Sequence, residues 1–305
     1  MEFLYLLESI RNPFLDQVFS LITHLGSEIV FMVLAVVMFW CVNKSQGLYL
    51  LSVGCLGTTV NQFLKLACRV PRPWVRDPGF TIVESARADA TGYSFPSGHT
   101  QNAVGTFGCL AMGAKKNWLR IVLIVLAVLT SFSRMYLGVH TLSDVLVSAG
   151  IALLMVAAMH PLFKGLEEHP ERGLWILLGL FLVNVLYVLY ANLWQFPADV
   201  DPENLAHGVE NAAKLTGALL GMLIGYAIDL KWIRFRTQAP LAGQILKCVV
   251  GLALVLAIKE GLKPVLGDGS FASAVRYGCI TVFASAVWPL TFGFFGKIGR
   301  KKETA

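Results

Sequence analysis

The strongest constraint on this chain is a series of apolar runs, each long enough to cross a bilayer. A spanning helix needs about 17–25 mainly apolar residues. Such runs fall near residues 26–43, 46–66, 97–114, 118–136, 142–162, 173–194, 209–229, 242–262 and 273–295. Unpaired backbone N–H and C=O groups are not tolerated in hydrocarbon, so successive runs of this length read as helices. The expected fold is an all-α polytopic membrane bundle of about nine transmembrane helices plus an N-terminal interfacial helix. Composition agrees, with 56% hydrophobic residues, 14% charged residues and a mean hydropathy of +0.64. A soluble domain carries about 25% charged residues, so soluble globular and disordered readings are both excluded.

Ahead of the first run, Phe3, Leu7, Ile10, Phe14, Val18 and Ile22 recur at helical spacing, and Asn12-Pro13 marks a restart. Residues 1–25 are expected to lie in the membrane interface. The opening MEFLYLLESIRNPF has no basic region and no small-residue cleavage site, so a removed signal peptide is not expected. Nine spans place the two ends on opposite sides. One set of loops carries fourteen basic residues: Lys44, Lys115, Lys116, Arg120, Lys164, Arg172, Lys231, Arg234, Arg236, Lys247, Lys297, Arg300, Lys301 and Lys302. The other carries six: Arg11, Arg69, Arg72, Arg76, Arg87 and Lys263. By the positive-inside rule the N-terminus is outside and the C-terminus cytoplasmic. The loop 195–208 holds Asp199, Asp201 and Glu203 with no Lys or Arg, which agrees. The net charge of +6 then needs no nucleic acid. The cysteines Cys41, Cys55, Cys68, Cys109, Cys248 and Cys279 form no CxxC pair or His/Cys cluster and read as small buried hydrophobes.

Ionisable residues at membrane depth are costly and usually functional. Here they converge on one side of the expected topology. Lys65 ends the second span, and Arg72-Pro73 follows. His99 opens the third span within Pro96-Ser97-Gly98-His99. Ser133-Arg134 ends the fourth, and His140 opens the fifth with Asp144 one turn below. At i,i+4 the Asp144 carboxylate can hold Nδ1–H of His140 and leave Nε2 as a nucleophile. Ser97 and Gly98 at a helix start offer backbone N–H groups to an anion. Lys65, Arg72 and Arg134 add positive charge, the guanidiniums gripping phosphoryl oxygens bidentately. His99 remains as general acid for the leaving oxygen. This describes phosphoryl transfer, and no carboxylate cluster suited to Mg²⁺ accompanies it, so neither metal nor cofactor is expected.

Lys65-x6-Arg72-Pro73, Pro96-Ser97-Gly98-His99 and Ser133-Arg134-x5-His140-x3-Asp144 together resemble the three-part signature of the type-2 phosphatidate phosphatase superfamily. That superfamily includes lipid phosphate phosphatases, polyprenyl-diphosphate phosphatases, glucose-6-phosphatases and vanadium haloperoxidases. The resemblance implies metal-independent hydrolysis in two steps. His140 becomes a phosphohistidine, Asp144 orients it and His99 protonates the leaving group, while Lys65, Arg72, Arg134, Ser97 and Gly98 hold the phosphoryl oxygens. Residues 26–162 form the implied phosphatase core. Residues 163–305 add about four spans, a feature similar to glucose-6-phosphatases and sphingosine-phosphate phosphatases.

The expected substrate is a lipid phosphate or diphosphate, such as a polyprenyl diphosphate or phosphatidate, met at the outer leaflet of the cytoplasmic membrane. A lipid phosphotransferase using the same phosphohistidine, a glucose-6-phosphatase-like or sphingosine-phosphate-like phosphatase, and a lipid transporter are the alternatives. Trp74, Phe80 and Phe95 fall in the 69–96 loop as either a lid for a lipid chain or headgroup-level aromatics. Glu210, Lys214, Lys259, Glu260 and Arg276 lie near the outer ends of the added spans. Interfacial anchoring and local pairing such as Glu210–Lys214 are expected of them.

Overall fold

The computed structural model describes residues 1–198 and 200–298; Asp199, Arg300, Lys301 and Lys302 lie outside the described residues. Helices α1 (Glu2–Ser9), α2 (Pro13–Thr23) and α3 (Glu28–Val37) lead into the long α4 (Lys44–Cys68). A loop bearing the short α5 (Pro73–Arg76) precedes α6 (Gly98–Gly113), α7 (Asn117–Tyr136) and α8 (Leu142–Phe163). The rest comprises α9 (Arg172–Leu193), α10 (Pro202–Ile228), α11 (Leu241–Leu266), α12 (Ser270–Val282) and a terminal turn, α13 (Phe292–Phe295). The described residues contain no strand.

Six helices are long and apolar enough to cross a membrane: α7, α8, α9, α10, α11 and α12, with α10 and α12 counted together with their helical continuations. A seventh appears if α2 and α3, bent by 50° about Ser27, count as one span. Two of the nine expected runs fall outside that test. With 16 residues, α6 reaches only about 24 Å at 1.5 Å per residue. In α4 the polar residues Ser52, Thr59 and Asn61 lower the hydropathy, yet all three are buried against protein. The helix restart at Asn12-Pro13 is observed, Asn12 Oδ1 accepting from Leu15 N as Pro13 takes the first helical position.

The end of the bundle opposite Lys65 is an aromatic knot of Trp40, Phe235, Trp288, Phe292 and Phe295. Two of the lysines counted above as cytoplasmic are embedded there. Lys44 pairs with buried Asp229 at 2.5 Å, and Lys247, 1% exposed, donates to the Trp40 and Thr237 carbonyls at 2.9 Å each. Cys41 and Cys248, read singly from the sequence, meet there with sulfurs 3.1 Å apart. Cys109 alone of the six is fully buried, and Cys68 and Cys279 are exposed.

Candidate active site

Because α4, α6, α7 and α8 run antiparallel in turn, the C-terminal ends of α4 and α7 and the N-terminal ends of α6 and α8 share one end of the bundle. That topology gathers the three motifs. A left-handed Gly138 (φ +82°) reverses the chain after α7, and Arg11 approaches so closely there that a Cβ would lie 2.7 Å from its Nη2. The reversal delivers His140 directly above α8.

Arg72 is the hub of the cluster. Its Nε and Nη2 donate to the Gly92 and Thr91 carbonyls at 3.0 and 2.6 Å. Its Nη1 donates to the Val139 carbonyl at 3.0 Å and lies 2.9 Å from His140 Nε2. A guanidinium has no lone pair to offer, so Nε2 must accept, and the imidazole proton sits on Nδ1. Nδ1 faces Asp144 Oδ2 at 3.5 Å, a polar contact too long for a good hydrogen bond. The same Oδ2 accepts from Ser94 Oγ at 2.6 Å and from Thr141 N at 2.8 Å, closing a capping box at the start of α8. Asp144 is therefore fixed by the loop and the helix cap as well as facing the imidazole.

Arg134 is fully buried and donates through Nη1 to Thr23 Oγ1 at 2.6 Å, while Nε and Nη2 have no partner among the described residues. It does not pair with Asp144. Lys65, 7% exposed, donates to the Tyr93 carbonyl, so it is not an anchor reaching for the headgroups. Ser97 caps α6, its Oγ accepting from Thr100 N at 3.4 Å, and its carbonyl accepts from Ser148 Oγ at 2.8 Å. Asn61 Nδ2 donates to the Pro96 carbonyl at 3.3 Å, and its Oδ1 lies 3.7 Å from where a Cβ on Gly98 would stand. His99 Nε2 is buried without a partner among the described residues. All eight residues singled out in the sequence thus lie at this end of the bundle.

The electrostatics favour an anion. Three buried cations surround one hydrogen-bonded carboxylate, and Arg134 keeps two nitrogens without a partner among the described residues. Burial, reinforced by Arg72, Arg134 and Lys65, holds His140 well below the ordinary imidazole range, so it is neutral at pH 7. Burial also lowers Arg72 to about 10, which leaves it charged. Among the described residues no three His, Cys, Asp or Glu side chains are placed to hold a metal ion.

Several supports were not legible as site residues. Thr23 carries no local signal, and Ser94 is marked only by lying just before Pro96-Ser97-Gly98-His99. The N-terminal helices brace the site: Arg11 donates to the Tyr136 and Thr81 carbonyls at 2.9 and 2.8 Å, and Tyr136 OH donates to Asp16 at 2.8 Å. In the loop, Phe80 is a core residue packed with Leu4, Leu7 and Met135, and Trp74 is flanked by Arg72 and Arg87 at 5.9 and 5.4 Å from its ring. A lid role for Phe80 is ruled out by this burial.

Residues 46–167 match the PAP2 superfamily, and residues 213–301 match the transmembrane extension of PAP2 superfamily phosphatases. Phosphatidylglycerophosphatase B of Bacillus subtilis is 33% identical over 176 residues, 53% of this chain and 80% of that protein. A probable sphingosine-1-phosphate phosphatase of Dictyostelium discoideum is 28% identical over 303 residues, 95% of this chain and 70% of that protein. The crystal structure of a transmembrane PAP2-type phosphatidylglycerolphosphate phosphatase from Bacillus subtilis is 30% identical. It covers 54% of this chain and 83% of its own, with a TM-score of 0.41. The chain belongs to the PAP2 superfamily of phosphatases.

Proposed function

We propose that this chain hydrolyses a lipid phosphate monoester or diphosphate through a phosphohistidine at the outer face of the cytoplasmic membrane. The observation that carries the reading is the unprotonated His140 Nε2 held 2.9 Å from a phosphate-binding guanidinium, with Arg134 and Lys65 beside it. On substrate arrival Arg72 Nη1 shifts from Nε2 to a phosphoryl oxygen. His140 Nε2 attacks phosphorus, the bond from phosphorus to the lipid oxygen breaks, and His99, which takes up a proton with the substrate as the phosphate charge offsets the three cations, gives that oxygen its proton. Asp144 steadies the imidazolium that develops. A water, losing its proton to His99, then displaces His140 and phosphate leaves. Lys65, Arg72, Arg134, Ser97 and the Gly98 backbone hold the phosphoryl oxygens throughout. No step requires a metal.

The relatives named for phosphatidylglycerophosphate, sphingosine-1-phosphate and undecaprenyl diphosphate support a lipid substrate. In this reading α3, α4 and α6 join the six long apolar helices to make nine spans, and residues 1–25 lie in the interface. Residues 26–162 form the phosphatase core and 163–305 the added unit. Without ion-paired Lys44 and buried Lys247, twelve basic residues remain on the cytoplasmic side against six outside, a bias that supports this orientation.

The test is phosphate release by purified protein in detergent with EDTA, offered undecaprenyl diphosphate, phosphatidate, phosphatidylglycerophosphate, sphingosine phosphate and glucose 6-phosphate. Release that survives EDTA and vanishes in His140→Ala is the expected result. No release of phosphate, with the phosphoryl group recovered on an added alcohol, would mean phosphotransfer instead. A reporter fused after Ala305 that signals from the outer side would overturn the topology.

A further inference from the structure

The added unit reaches the active site. At the start of α10, Asp201 caps the helix through Glu203 N and Asn204 N at 2.9 and 3.0 Å, and its own N–H donates to Tyr93 OH at 3.1 Å. One turn on, Gly208 lets α10 press against α4, where a Cβ would lie 2.7 Å from Leu66 Cδ1. Tyr187 OH adds a hydrogen bond to the Gly208 carbonyl at 3.0 Å. This docking turns Asn204, His207 and Asn211 toward Gln62 and Lys65 of α4, and together with Thr91 they line one small polar cavity. Its volume is about 20 Å³, which is room for one water-sized group.

The cavity borders the proposed phosphate cradle through Lys65 and the Thr91-Gly92 turn. Lys65 Nζ and Asn204 Oδ1 each lie 3.9 Å from the point where a Cβ on Gly92 would stand, so the two atoms are within twice that distance. Arg72 donates to that same Gly92 carbonyl. None of the side chains of Gln62, Asn204, His207 and Asn211 makes a hydrogen bond among the described residues. These half-buried side chains line the cavity beside Lys65, Thr91 and Gly92, with donors and acceptors free for a ligand or water. Amides and imidazole each donate and accept, and Lys65 is the one cation in the lining. At this size the lining suits a single hydroxyl or amine and has no room for a second phosphoryl group.

Resting on the hydrolase reading above, we infer that Asn204, His207 and Asn211 of α10, with Gln62, form a subsite for a single hydroxyl or amino group on the carbon next to the phosphate-bearing carbon. The favoured substrates are then phosphomonoesters with a polar backbone beside the ester, ahead of alkyl or prenyl phosphates with only hydrocarbon there.

A matched pair of lipids tests this: oleoyl lysophosphatidate, with a free hydroxyl beside the phosphate-bearing carbon, and oleyl phosphate, with none. A polar site left unpaired discriminates strongly against the substrate that lacks the group. In Asn204→Ala, His207→Ala and Asn211→Ala the ratio of kcat/KM for the first lipid over the second is expected to fall about tenfold, about 1.4 kcal/mol by the usual conversion. Gln62→Ala, from the opposite wall, should move the ratio the same way, and His207→Asn should restore part of it. An unchanged ratio in all four alanine variants, or equal losses on both lipids, overturns the subsite while leaving the hydrolase reading intact. Wild-type protein that releases phosphate from neither lipid overturns both.

Discussion

The helices that carry the motifs and the helices that follow them are joined by different means. In the core, buried polar side chains tie one helix to the next. Tyr49 OH donates to the Val156 carbonyl at 2.7 Å, Gln46 Nε2 to the Cys109 carbonyl at 2.8 Å, and Asn61 and Ser148 to carbonyls of the Pro96-Ser97 turn. Between α10 and α12 the join is steric. A Cβ on Gly217 would stand 1.8 Å from the Ala274 carbonyl oxygen, on Gly221 2.1 Å from Thr281 Oγ1, and on Gly225 1.8 Å from Ser285 Oγ. Lipid gives no hydrophobic drive to helix association, so close backbone approach and hydrogen bonds must supply it. The core uses directional bonds because its upper ends must hold charges in a fixed arrangement. The α10–α12 interface uses a glycine stripe because it has only to pack, whereas α9 and α10 are again tied by Asn184 and Tyr187.

Substitutions in the two regions should therefore fail in different ways. The largest expected effect is on chemistry. Arg134→Met removes a proposed phosphoryl donor and should lower kcat/KM by about a thousandfold. Its melting temperature in detergent should hold or rise, because a buried guanidinium with two unpartnered nitrogens is poorly compensated. A variant that loses stability along with activity would show that Arg134 is a structural clamp. The next effect is on stability. Gly221→Leu drives a side chain into Thr281 and the Gly278 carbonyl, and overpacking costs about 1–3 kcal/mol or more. The melting temperature should drop sharply, while protein that remains folded keeps the mechanism and its resistance to EDTA. Full stability in Gly221→Leu would mean that α10 and α12 do not meet as closely as described.

Most of the site was legible because its chemistry is local in sequence. Each motif spans only a few residues, and apolar runs on either side fix the helix end at which it falls. The antiparallel order of spans then brings the ends together with no further information. What escaped was whatever depends on tertiary contact alone. Thr23 under Arg134 is an ordinary threonine in an amphipathic stretch, and Phe80 looked available in a polar loop but is covered by Leu4 and Leu7. Lys44 and Lys247 count as cytoplasmic charges by position, yet one is paired with Asp229 and the other buried under backbone carbonyls. The stripe Gly217-x3-Gly221-x3-Gly225 is plain in the sequence and signals a helix interface, though not which helix is the partner.

Smaller effects sharpen the contrast. Ser94→Ala takes from Asp144 its 2.6 Å donor while the Thr141 amide remains. The carboxylate keeps its place but loses one of its two donors, and kcat should fall about tenfold at nearly constant KM, in line with about 1.5 kcal/mol, the low end for a hydrogen bond to a charged group. A change confined to KM would mean that Ser94 serves substrate binding instead of Asp144.

The smallest expected effect lies at the rim of the added unit. Glu210 accepts from Lys214 one turn along α10 at 2.8 Å and from Ser273 of α12 at 3.5 Å, and Ser273 also accepts from Arg276 at 3.2 Å. The local pairing expected from the sequence is therefore present, with a thread across to the partner helix. The carboxylate is 39% exposed, so water and salt screen the pair, and exposed pairs of this kind contribute about 0.5 kcal/mol or less. Glu210→Gln keeps an acceptor for Ser273 and removes only the charge. It should leave the melting temperature within about 2 °C of the parent and the kcat/KM ratio for oleoyl lysophosphatidate over oleyl phosphate unaltered. If that ratio falls as it does for His207→Ala, the headgroup is read by charge from Glu210, and the neutral subsite one turn above would need to be redrawn to include it.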